Sequence, residues 1–132
     1  MRYAILIVLA LAAGIIGTVM AMNAIHNKPN VPRSAMEMID FHMDGLEKNV
    51  DDNRCTVTDN LPHLLTMRAL SNDLEPVFMP TSNDADFKLK ASGLRAALDA
   101  AIATPPADCA AIKATMQRVG HECKSCHNEF RH

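Results

Sequence analysis

Near the end of the chain Cys123, Cys126 and His127 stand at positions i, i+3 and i+4. That spacing gathers side chains on one side of an α-helix, whereas in a strand i+3 and i+4 fall on opposite faces. The residues before them keep the same rhythm. Ile112, Met116, Val119, Cys123, Cys126 and Phe130 recur at steps of four, three, four, three and four, which predicts a helix D over about residues 107–130 with both cysteines on its buried stripe.

Three earlier stripes share this period. Helix A is expected to begin near Ser34, an N-cap with Glu37 three residues on in the manner of a capping box. Its stripe is Met36, Ile39, Met43, Leu46 and Val50, and Asp51, Asp52 and Asn53 end it. Helix B starts from Asp59 and Asn60 with Pro62 just inside, carries Leu64, Met67, Leu70, Leu74, Val77 and Phe78 on one side, and is closed by Pro76. After a loop over residues 80–84, helix C places Phe87, Ala91, Leu94, Leu98 and Ala101 at four, three, four and three, until Pro105 and Pro106 stop it. No segment alternates as a strand would. The chain therefore reads as all-α: an up-down-up-down four-helix bundle over residues 34–132, preceded by a linker over residues 27–33 and an N-terminal signal or membrane-anchor helix over residues 1–26.

Between residues 4 and 25 nothing is charged, and only Thr18 and Asn23 are appreciably polar. Such a run behind Arg2 reads as an export signal. Ala21 offers a cleavage point, but 22 apolar residues span about 33 Å as a helix, enough for a ~30 Å hydrocarbon layer, and the balance favours a retained anchor.

Composition excludes some functions. The formal charge is −2, and without Arg2 the 13 basic residues become 12 against 15 acidic ones. Phosphate binding needs a basic surface and stacking aromatics, so no nucleic-acid role is expected. Trp is absent, Tyr3 is the single tyrosine and the four Phe are scattered, so the core must come from aliphatic residues and nine Met, or from something the gene does not encode. No acid–base pair or substrate pocket can be read from the chain, so no enzymatic turnover is expected.

The four cysteines divide by context. Up-down-up-down topology puts the A–B and C–D connections at one end of the bundle, so Cys55 and Cys109 are either a disulfide or two unpaired buried thiols. A bridge closing that loop would add up to about 4 kcal/mol. Cys123 and Cys126, followed directly by His127, carry different chemistry. Two thiols one turn apart can add to the two vinyl groups along one edge of a haem while the adjacent imidazole reaches the iron. The rivals are a redox dithiol, which belongs on a βα unit, and zinc, which would have to recruit His121, Cys109 or His132. The motif favours one covalent haem c, with His127 as iron ligand. Haem attachment of this type occurs in bacteria outside the inner membrane, which puts the bundle in the periplasm, anchored if residues 4–25 are retained.

A helical domain with this motif at its end resembles the class II c-type cytochromes, the cytochrome c-prime family. The likeness rests on the closing run from Cys123 to Arg131, on Arg33, Ser34, Ala35 and Met36, on His42, and on Asp86, Phe87, Lys88, Leu89 and Lys90. The resemblance implies that one residue of helix A faces the iron opposite the histidine, and that position falls on Met36. A thioether there would give low-spin iron and an electron carrier, whereas Met36 as plain core filler would leave an open site. The resemblance also implies that Arg33 lies near the haem propionates, though Pro32 replaces the family's usual arginine, and that Arg131 lies on the proximal side. It makes a homodimer through helices A and B conceivable. Three functions follow: an electron carrier between redox partner proteins such as membrane respiratory complexes, a five-coordinate nitric oxide binding protein, or a bundle using its cysteines without haem. His42 and His63 flank the buried stripes and are expected to be satisfied, half-buried histidines.

Overall fold

The computed structural model describes residues 2–26 and 30–131, and the chain divides into two compact units, Met1–Asn30 and Val31–His132. The first is one helix, α1 (Arg2–His26), whose most apolar 18-residue stretch has a mean hydropathy of 2.6. By length and composition it is able to cross a membrane. Of the expected linker, residues 27–29 lie outside the described residues and residues 31–33 belong to the next helix.

The second unit consists of α2 (Val31–Asp51), α3 (Val57–Leu70), the short α4 (Leu74–Val77), a 3₁₀ turn (Thr81–Asn83), α5 (Ala85–Ala103) and α6 (Cys109–Phe130). The long helices pack in a closed square: α2 against α3, α3 against α5, α5 against α6 and α6 against α2. This is the expected four-helix bundle. Its core is formed by Ile39 and Leu46 of α2, Leu64 and Met67 of α3, all five predicted residues of helix C, and Ile112 and Val119 of α6. Each large aliphatic side chain so buried contributes roughly 1.5–3 kcal/mol.

The helix ends differ from expectation in three places. Helix A starts at Val31, so Ser34 is inside it and the capping box does not form; Glu37 instead pairs with Arg33 at 2.7 Å. Pro32 permits the earlier start, because its ring presets the helical φ and the first turn has no intrahelical use for its missing N–H. Helix B starts a turn early too. Thr56 is its N-cap and accepts from the Asp59 backbone N–H at 3.3 Å. The Asp59 carboxyl is held below its usual range by hydrogen bonds with Thr56 and then Arg54.

Helix B also does not run through to Val77. It ends at Leu70, and the Ser71–Asp73 turn precedes α4. Ser71 is fully buried, its hydroxyl donates to the Arg68 carbonyl at 2.7 Å, and its own carbonyl accepts from the Arg95 guanidinium at 3.0 Å. Serine, asparagine and aspartate in succession offer the backbone alternatives to a continuing helix, and Arg95 locks one in. The same guanidinium makes two bonds to Glu75, at 2.9 and 2.6 Å, tying α4 to α5.

At the end holding the α2–α3 and α5–α6 connections, Cys55 and Cys109 form a disulfide with Cα atoms 5.0 Å apart. Beside it lies a buried polar knot. Asn60, wholly covered, donates to the carbonyls of Arg54 (3.1 Å) and Thr56 (2.8 Å) and accepts from Asn49 at 3.2 Å. The left-handed φ of 56° at Asn53, tolerated by asparagine, turns the chain out of α2.

Candidate haem-attachment site

Asp108 caps α6 by accepting from the Ala111 N–H at 2.7 Å, and the helix then runs unbroken to Phe130. Continuity keeps Cys123, Cys126 and His127 on adjoining turns of one face. All three are partly buried, and Cys123 packs directly against the core together with Met36, Met43, Met116 and Phe130. With Cys55 and Cys109 bonded to one another, the thiols of Cys123 and Cys126 are the free ones. Burial pushes both thiols up from their ordinary value, helped at Cys123 by its neighbour Cys126 and opposed at Cys126 by the Lys90 charge.

These observations separate the readings of the motif. Zinc binding would have drawn on Cys109, but that sulfur is committed at the connection end of the bundle, and no group of three or more ligating side chains gathers among the described residues. His132 lies outside the described residues. A free thiol pair one turn apart and followed by an imidazole suits addition to vinyl groups and fits a haem. Cys123, Cys126 and His127 are the residues that would hold it.

Helix α2 packs against α6. Met36 is partly buried against the core, and Asp40, one turn on, acts electrostatically on the Cys123 thiol. Met36 and Cys123 thus pack against the same core. Arg33 instead pairs with Glu37 at 2.7 Å with three-quarters of its side chain exposed, and Arg131, also exposed, donates its backbone N–H to the His127 carbonyl at 3.1 Å. Met67 is fully buried in the core, and Met43 and Met116 line a groove of about 300 Å³ with Lys113 and Gln117.

Two features around the site escaped the sequence reading. Lys90 of α5 reaches across to Ser125 and Glu129, each at 3.1 Å, and brackets Cys126 with charge. Phe87 stacks edge-on against Phe130 at 5.4 Å and lies 5.9 Å from Phe78. Three of the four phenylalanines thus gather where α5 meets the end of α6. Their positions on separate stripes carry no signal of that meeting.

Over 49 residues the chain is 45% identical to cytochrome c-556 of Agrobacterium tumefaciens (strain II Chrys), a segment amounting to 37% of this chain and 40% of that protein. The chain thus matches less than half the length of that curated relative. The crystal structure of cytochrome c' from Rubrivivax gelatinosus has a TM-score of 0.61, 24% identity, and coverage of 77% of this chain and 92% of its own, a likeness of fold. The sequence model of cytochrome c' matches residues 31–131, the whole bundle including Cys123, Cys126 and His127. The chain belongs to the cytochrome c' family and is a class II c-type cytochrome, a family that carries covalently bound haem c.

Proposed function

We propose that this cytochrome carries single electrons on the outer side of the inner membrane, with haem c bonded to Cys123 and Cys126 and iron held by His127 and Met36. The bound haem supplies a one-electron couple. The protein's part is to hold, shield and tune it. The two thiols fix one edge, and the imidazole is set one residue beyond Cys126 by an uninterrupted helix. Phe78, Phe87 and Phe130 keep water from the α5 side, while the Lys90–Glu129 pair leaves a charged rim near Cys126. As an iron ligand, Met36 would favour the reduced state through its thioether and leave gases no open position. Arg33 and Arg131 are assigned to the propionate and proximal margins. The observation that supports this reading is the free thiol pair on one face with His127, with Cys123 and Met36 packed against the same core.

Helix α1 is assigned as an export signal retained as a membrane tether, with redox proteins of the membrane as partners. An N-terminus at Met22 in the mature protein, found by mass spectrometry, would remove the tether. The iron assignment is tested by absorption of the purified holoprotein. A low-spin six-coordinate ferric spectrum is expected, turning high-spin in Met36→Ala. If that substitution leaves the spectrum unchanged, Met36 is not a ligand. High-spin iron in the unaltered protein would move the function to nitric oxide binding at an open distal face.

A further inference from the structure

His42 of α2 and His63 of α3 bring their Nδ1 atoms to 3.1 Å, with ring centroids 5.2 Å apart. Both rings are half-buried. The approach depends on Gly45: a Cβ there would lie 2.3 Å from Cε1 and 2.7 Å from Nδ1 of His63. A glycine in the middle of a helix costs about 1 kcal/mol relative to alanine, and here the missing methyl is what admits the imidazole. The two helices are thus shaped to bring these nitrogens together.

We propose that His42 and His63 form a two-imidazole binding site for a divalent late first-row transition-metal ion, Cu2+ before Ni2+ or Zn2+. With metal–nitrogen bonds of about 2.0–2.1 Å, two imidazoles are about 2.9 Å apart at adjacent corners of a square plane and about 3.3 Å apart in a tetrahedron. The observed separation falls between them. To meet one ion across the 3.1 Å separation each lone pair must lie about 40° off the line joining the two nitrogens, which each ring reaches by turning about its own side-chain bonds. Among the described residues no third histidine, cysteine or carboxylate completes a cluster, so water takes the remaining positions. Two nitrogens with water oxygens suit the tetragonal preference of Cu2+, which also heads the affinity order. Burial, and then the neighbouring His42, hold the His63 imidazole below its ordinary pKa, which keeps it neutral and able to ligate. In the metal-free pair one Nδ1–H donates to the other Nδ1; on binding that proton moves to Nε2 of its own ring, and no net proton is lost. The bound ion would staple α2 to α3 independently of how iron is ligated.

The test uses haem-loaded protein stripped of loose metal and titrated with Cu2+ against a chromophoric chelator, with electron paramagnetic resonance reading the ligands. One Cu2+ per chain showing coupling to two nitrogens is expected. At least tenfold weaker binding should follow in His42→Gln and His63→Gln, with the haem spectrum unchanged. Gly45→Ala, which displaces His63 without altering either ring, should weaken binding as well and serves if a histidine variant fails to mature. Wild-type affinity in both histidine variants, or coupling to a single nitrogen, would overturn the site.

Discussion

Removing the Cys55–Cys109 bridge gives the most quantitative check on the fold. The two sulfurs are 54 positions apart in sequence, so the bond closes a loop of about 55 residues in the unfolded chain. Loop-closure entropy for that length is about 14 cal/mol/K, or about 4 kcal/mol at 25 °C. Cys55 is 8% exposed and belongs to the core, so replacement by alanine also forfeits some packing, on the order of 1 kcal/mol. A domain of about 100 residues unfolds with an entropy near 0.2 kcal/mol/K, and the double variant Cys55→Ala/Cys109→Ala should therefore melt about 25 °C lower. Circular dichroism at increasing temperature, on holoprotein of both kinds, measures this, and thiol counting on the native parent should find neither Cys55 nor Cys109 reactive. A fall under about 4 °C, equivalent to less than about 1 kcal/mol, would show that the loop entropy is not what the bridge contributes.

Leu98→Ala, at a side chain with no exposure, should cost about 3 kcal/mol through lost burial and the cavity left in α5, read from denaturant unfolding. Asn60→Ala removes two donated bonds and leaves the Asn49 amide without one of its acceptors; a loss of about 2–3 kcal/mol is expected, and an effect below about 0.5 kcal/mol would mean that water replaces the knot. Glu75 is held below its ordinary carboxyl range, first by its hydrogen bonds from Arg95. A depressed carboxyl stabilises the fold above the unfolded-state value of 4.5 and loses that contribution as pH falls through the lower folded-state value. Glu75→Gln should therefore cost about 1 kcal/mol at neutral pH and nothing once the parent's carboxyl is protonated, as melting curves across that range would show.

The helical stretches, much of their inner faces and the shared side of Cys123, Cys126 and His127 were legible from residue spacing. Cys123, Cys126 and His127 share a side of α6, and Phe87 to Ala101 line the core, because positions three and four apart coincide on any α-helix whatever surrounds it. Helix ends were less legible, since several start signals compete locally. Val31 won over Ser34 through Pro32, and Thr56 over Asp59. The break at Ser71 was missed because it depends on Arg95, 24 residues away.

What joins one helix to another had to wait for the folded chain. Topology placed Cys55 and Cys109 at one end of the bundle, but their pairing required Cα atoms 5.0 Å apart, which only packing sets. His42 meets His63, Lys90 reaches Glu129, and Phe87 finds Phe130 for the same reason. Each contact depends on the rotation and axial offset of two packed helices, and a shift of one turn, about 5.4 Å, would undo it while leaving every local pattern intact.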